Sequence, residues 1–155
     1  MMACENAQRD SFVLLQLAER RFALPAEGVA ELAPPVRLHT FPHTSSLLSG
    51  VIVRRGRILP VYDAARALSG KSSLAHRFYL VARRRFGETS EMSAIPVDGE
   101  CELVTGEARP RSEAAPPYIC GEIAVGDESV GILDIEAFVR MHENTGAKSL
   151  SEPRA

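Results

Sequence analysis

Tryptophan is absent from the 155 residues, and three Tyr and six Phe supply all the aromatic rings. Stacking platforms of the kind that hold single-stranded nucleic acid are therefore scarce. Cysteine is equally sparse. Cys4, Cys101 and Cys120 are odd in number and lack CxxC spacing, which suits reduced thiols better than a disulfide framework or a zinc knuckle. The expectation is three reduced, buried thiols in a reducing compartment. No run of about 18 apolar residues exists, and Met1–Asp10 has neither the basic start nor the apolar core of a signal peptide. A cytoplasmic protein without membrane insertion is expected. Neither sign of charge dominates: 18 Lys plus Arg face 20 Asp plus Glu, so no global field draws polyanions. With 45% hydrophobic and 25% charged residues the composition is that of a globular domain, not of a collagenous or disordered chain.

Catalytic and cofactor signatures are missing too. Ser69-Gly70-Lys71-Ser72 imitates the end of a P-loop, but Ala65 stands where the first glycine belongs and a helix, not a strand, precedes it. A helix-terminating glycine explains the segment better. His39 and His43 are spaced i, i+4, yet Pro34, Pro35 and Pro42 forbid the helix that would aim both at one metal. No serine, cysteine or carboxylate pair lies in a nucleophile or acid–base context. No enzyme activity, cofactor or metal is expected.

What the chain does have is a repeat. Slid by 71 positions, Ala23-Leu24-Pro25-Ala26-Glu27-Gly28-Val29-Ala30-Glu31-Leu32 falls on Ala94-Ile95-Pro96-Val97-Asp98-Gly99-Glu100-Cys101-Glu102-Leu103, with five of ten pairs identical. The same offset carries Gly50-Val51-Ile52-Val53 onto Gly121-Glu122-Ile123-Ala124, and Val61-Tyr62-Asp63 onto Ile132-Leu133-Asp134. A shift of 66 aligns Phe12-Val13-Leu14-Leu15 with Phe78-Tyr79-Leu80-Val81, which predicts a loop about five residues longer near Arg84–Glu91. Two copies of one supersecondary unit follow, with approximate subdomains 12–70 and 76–142 and flexible tails at 1–11 and 143–155.

Each copy reads as mostly β. Strands are expected at Phe12–Leu17, Phe22–Leu24, Phe78–Ala82 and Ser93–Val97, where short runs carry aromatic and branched residues. Val51–Arg54, Arg55-Gly56 and Arg57–Tyr62 form a hairpin pattern with glycine at the tight position, and Gly126-Asp127 offers the matching turn. Pro60 marks an edge or bulge because proline donates nothing to a ladder. Asp63 and Asp134 stand as N-caps of short helices, the first ending at Gly70. Residues 33–49 and 104–117 read as connectors. Neither copy can close a large core, so an apolar seam between them should supply stability, with the groove beside it open to a partner.

Two basic clusters remain. Arg83, Arg84 and Arg85 suit a solvated strand end that blocks edge pairing. A nucleic-acid groove is the alternative, with only Phe86 to stack a base. Arg54, Arg55 and Arg57 surround the hairpin, and Arg55 precedes Gly56 where a guanidinium can reach a partner's carboxylates.

Gly50-Val51-Ile52-Val53-Arg54-Arg55-Gly56-Arg57-Ile58-Leu59-Pro60-Val61-Tyr62-Asp63 resembles the hallmark segment of CheW-like domains, with its Gly-Val start, Arg-Gly turn and Pro-Val-x-Asp strand end. Phe12–Leu24 resembles the family's opening hairpin, and Gly28–Leu32 its first short helix. Val97-Asp98-Gly99 is similar to its mid-chain Val-Asp-Gly, and Tyr118–Gly121 with Leu133–Glu136 to its closing strands and helix. The likeness covers about residues 12–142. It implies two SH3-like five-stranded β-barrel subdomains with short helices. It also implies a non-catalytic adaptor joining chemoreceptor cytoplasmic tips to the regulatory domain of a CheA-type histidine kinase, at membrane-associated receptor arrays, in chemotaxis or in another receptor–kinase pathway such as surface motility. By position, Val29, Glu31, Gly50 and Arg55 match places that the family links to receptor binding or its support. Gly56, Pro60 and Asp63 look architectural, as do Gly99, Gly121 and Asp134 in the second copy. The chain departs from the pattern at Val53-Arg54, where relatives often carry Asn-Leu, at Ser45, near an expected proline, and at Pro96, which interrupts an expected strand.

Overall fold

The computed structural model describes residues 9–70, 78–86 and 88–142. In chain order these form β1 (Arg9–Leu17), β2 (Arg20–Pro25), a 3-10 turn (Ala26–Gly28), β3 (Val29–Ala33), β4 (Leu48–Arg54), β5 (Arg57–Tyr62) and helix α1 (Ala64–Ser69). There follow β6 (Phe78–Phe86), β7 (Thr89–Glu107), β8 (Arg109–Pro110), β9 (Ile119–Val125), β10 (Glu128–Leu133) and helix α2 (135–142).

The repeat is legible in this order. Offset by 71, β4 falls on β9, β5 on β10 and α1 on α2, while β2 and β3 fall on the first and second parts of β7. Pairings repeat as well. The antiparallel pair β4–β5 is answered by β9–β10. The parallel contact Val61↔Ala94 is answered by Ile132↔Ala23, the same two positions with the copies interchanged. Asp63 N–H donates to the Leu47 carbonyl at 2.9 Å, and Asp134 N–H to that of Tyr118 at 2.7 Å. Such agreement in register and cap is what two copies of one unit produce.

The units exchange strands. One sheet joins β1 and β2 of the first copy to the second part of β7, β9 and β10 of the second, with the two-residue β8 at its margin. The other joins β6 and the first part of β7 to β3, β4 and β5. The expected subdomains 12–70 and 76–142 thus describe the repeat and not the sheets. β7 crosses from one sheet to the other: its first part pairs with β6 from Thr89 to Val97, its second with β1 from Asp98 to Glu107.

Burial follows this division. Phe12, Leu14, Ala23, Ile123, Val130 and Ile132 fill one sheet's own core. Ala33, Ile52, Leu59, Val61, Tyr79, Val81 and Ala94 fill the other's. The larger cluster lies between them and takes Leu15, Leu17, Phe22 and Leu24 from β1–β2, Leu80, Ala82, Ile95 and Val97 from β6–β7, and Phe138 and Val139 from α2. This is the predicted seam. Each large side chain buried in it contributes about 1.5–3 kcal/mol, more than either small core could spare.

Several local expectations are corrected. The short helix at Gly28–Leu32 is a strand from Val29 onward, because β3 pairs with β6 through Leu32↔Leu80 and Ala33↔Tyr79. The 3-10 turn just before it ends at Gly28. Residues 104–107 belong to β7 instead of a connector, and Arg9, Asp10 and Ser11 belong to β1 instead of a tail, since the two segments pair with each other. The extra residues near Arg84–Glu91 lengthen a hairpin, with ladder pairs from Arg83↔Met92 to Phe86↔Thr89. Pro96 does not interrupt its strand, and stands opposite Tyr79 within the ladder. Gly99 is not at a turn. It lies where Leu14↔Glu102 and Gln16↔Asp98 fall out of step, a bulge at the crossing of the two sheets. Gly121 likewise sits inside β9, where a Cβ would meet the Arg109 carbonyl oxygen at 2.9 Å. Cys120 takes part in a disulfide, so the expectation of three reduced thiols fails. Spacing along the chain could not show that pairing. Cys101 stays free and half-buried, its thiol pKa pushed up by burial.

Candidate functional site

The β4–β5 hairpin turns on two residues. Arg55 (φ 54°) and Gly56 (φ 77°) both have left-handed backbone, the combination that matches the twist of paired strands. Glycine takes this without strain, whereas an arginine there costs about 1–3 kcal/mol. The strained position is thus occupied by an exposed, charged side chain.

Glu31 on β3 faces that turn. Arg54 donates to it through Nε to Oε2 at 3.1 Å and Nη2 to Oε1 at 3.0 Å. Arg55 repeats the same fork at 3.4 Å on both oxygens. The side chains of Glu31 and Arg54 are 21% and 25% exposed, that of Arg55 74%. Two forks on one carboxylate hold Glu31 ionised, and its pKa is lowered to about 2 by Arg54 first and Arg55 second. One positive charge remains over, and it is carried by the exposed arginine. Beside the turn, Val53 and Ile58 stand opposite each other across the strands and are 51% and 70% exposed.

The other predicted residues are placed around this corner or behind it. Val29, half-buried on β3, packs against the seam. Gly50 presents nothing outward: a Cβ there would lie 2.4 Å from the His39 carbonyl oxygen, where His39 bridges to Val51. Its place is in support of β4. Pro60 pairs with Val51 one residue before the contact that ties β5 to β7. Asp63 Oδ1 accepts from Arg66 N–H at 3.0 Å and caps α1. Asp134 does the same for α2 through Ala137 N–H at 3.1 Å. Ser45 Oγ accepts from Leu47 and Leu48 N–H, a turn that organises the entry to β4.

The weaker candidates lie elsewhere. Gly70 ends α1 with φ 80°, its N–H donating to the Arg66 carbonyl, as a terminating glycine does. Lys71 and Ser72 lie outside the described residues. His43 packs against Phe41 while His39 bridges to β4. Arg83 spends its guanidinium on the Glu27 carbonyl at 3.1 Å. Among the described residues no three metal-ligating side chains come together, and no helix is long and apolar enough to cross a membrane. What sequence reasoning missed is Arg54. It stood out as a departure from the family pattern, but its bond to a carboxylate 23 residues away has no local signature.

Two exchanged, mostly β units around a shared seam, with an exposed hairpin arginine braced by a carboxylate, define a scaffold of small β modules. The CheW-like domain family model matches residues 11–143, and the chain belongs to that family. As a member it is a non-catalytic CheW-like scaffold. Protein FrzA of Myxococcus xanthus is 30% identical over 125 residues, covering 79% of this chain and 74% of the relative. The crystal structure of scaffolding protein TtCheW from Thermoanaerobacter tengcongensis superimposes with a TM-score of 0.71 at 19% identity, covering 84% of this chain and 88% of that one. The fold is shared with it.

Proposed function

We propose that the chain couples a chemoreceptor's cytoplasmic tip to the regulatory domain of a CheA-type histidine kinase, and that the β3 and β4–β5 corner is its receptor contact. The observation that carries this reading is Arg55. An arginine occupies a strained left-handed position that glycine would fill at no cost, and its side chain is 74% exposed. Glu19 has the same backbone at the β1–β2 turn (φ 64°), and what favours recognition at Arg55 is the strain together with the forked contact to Glu31 and the exposed Val53–Ile58 pair beside it. Glu31 sits behind Arg55 as support, Val29 ties β3 to the seam, and Gly50 lets β4 pass close to His39. Membership of the CheW-like family supplies the partner class. The same chemistry serves a chemotaxis array or another receptor–kinase pathway, at membrane-associated arrays in either case.

The test is co-elution. Purified chain, a receptor-tip fragment and a kinase regulatory domain from the same cell are run together by size exclusion. Complexes with both partners are expected, and Arg55→Ala should lose the receptor complex while unfolding at the wild-type temperature. Failure of the wild-type chain to bind either partner contradicts the reading.

A further inference from the structure

Glu31 is contested by two guanidiniums, and the contest is unequal. Arg54 holds the carboxylate at 3.0 and 3.1 Å from a position only 25% exposed, whereas Arg55 reaches the same two oxygens at 3.4 Å from one that is 74% exposed. A pair shielded from water is the stronger of two competing forks, because solvent screens the exposed one. Charge counting gives the consequence. With Arg54 present, one carboxylate and two cations leave a net +1 at the turn. Without it, Arg55 would be the sole ion partner seen for Glu31, and the corner would be neutral.

We infer that Arg54 is a positioning residue, which takes up Glu31 and so leaves Arg55 as the free cation that selects partner segments carrying a carboxylate. This rests on the reading of the corner as the receptor contact. A partner carboxylate then has only to displace a long, exposed bond from Arg55, while Arg54 keeps Glu31 from being stranded. Arg57, also exposed on the hairpin, adds charge of the same sign, and no acidic residue lies between Val53 and Ile58 to oppose it.

The full chain is titrated with a receptor-tip fragment and with the same fragment whose Asp and Glu are replaced by Asn and Gln. Arg54→Leu should bind the acidic tip about tenfold more weakly, the scale of one charge-assisted pair. It should also lose most of the preference for the acidic over the amidated tip. Adding Glu31→Gln to Arg54→Leu should restore wild-type affinity to within about twofold, because nothing is left to capture Arg55. Arg54→Lys should keep most of the binding. A double variant as weak as the single one, or an Arg54→Leu chain binding like wild type, overturns the inference. Capture is also read without any partner, as slower exchange of the Arg55 Nε–H in Arg54→Leu. Unchanged exchange refutes the positioning role whatever the binding result. Slowed exchange in a chain whose wild type ignores the tip refutes the receptor reading alone.

Discussion

The two hairpins related by the repeat occupy matching places in the fold and carry opposite charge. In the first, one carboxylate, Glu31, lies between Arg54 and Arg55. In the second, one guanidinium lies between two carboxylates: Arg21 meets Glu128 at 2.7 Å and Glu102 at 3.9 Å. Glu102 is the counterpart of Glu31, and Glu128 that of Arg57. Where Arg55 takes a strained backbone, its counterpart is Gly126 with φ 62°. Where Val53 and Ile58 form an exposed apolar pair, Ala124 and Ser129 stand, and Ser129 Oγ donates to Glu122 at 2.7 Å. The second hairpin is built as a relaxed, water-facing turn, the first as a strained, partly apolar and cationic one. Architecture is kept in both copies, and the exposed cation and apolar pair on which the proposed recognition rests stand in the first alone.

That contrast breaks most sharply at the glycines behind the hairpins. Gly50→Val puts a side chain where the His39 carbonyl oxygen lies 2.4 Å from a Cβ, and should cost about 3 kcal/mol or more in urea unfolding. Gly121→Ala meets the Arg109 carbonyl oxygen at 2.9 Å, beside the margin strand β8, and should cost less than Gly50→Ala. The helix caps come next. Asp63→Ala and Asp134→Ala should each cost about 1 kcal/mol in the same experiment, with Asp63 the larger because it is buried at 5% exposure. A smaller effect of opposite sign is expected at the strained turn. Arg55→Asn should stabilise the chain by about 0.5–1 kcal/mol, since asparagine tolerates the left-handed region, while receptor-tip binding is lost.

The smallest effect is electrostatic. Glu31 titrates near 2 in the folded chain against an ordinary 4.5, so its ionised form stabilises the fold above the ordinary value. As the pH falls from about 4.5 to 2, folding binds fewer protons than the unfolded chain does, and that stabilisation drains away. The stability gap between wild type and Glu31→Gln, followed by thermal unfolding across this range, should shrink towards acid.

Much of this was legible in the sequence, for physical reasons that can be named. The offset of 71 recovered strand, turn and cap together because each is a local rule: alternation for β4 and β5, glycine for the turn, aspartate for both helix starts. The seam followed from the shortage of core in either copy. Strand exchange did not follow, because Phe12–Leu17 and Phe78–Ala82 have nearly the same pattern and either could pair with either set of later strands. The choice is made by contacts across the seam, among them Leu15, Leu17, Leu80 and Ala82. Val29–Ala33 was read as helix from a resemblance, and its pairing with β6, a distant segment of the chain, left no local mark. Pro96 looked like a break in a strand and Gly99 like a turn position, yet β7 is long enough to hold a proline in its ladder and a bulge where it changes sheets. The Arg54–Glu31 bond was hidden because it joins residues 23 apart in the chain.

One pair of charge reversals bears most directly on the asymmetry between the hairpins. Arg55→Glu in the first and Glu128→Lys in the second are compared by calorimetric titration with the same receptor-tip fragment. Binding should vanish for Arg55→Glu and stay within about twofold of wild type for Glu128→Lys, as a charge inside the proposed contact against a distant one implies. Equal losses at the two hairpins, or loss only at the second, would contradict the assignment of recognition to the first.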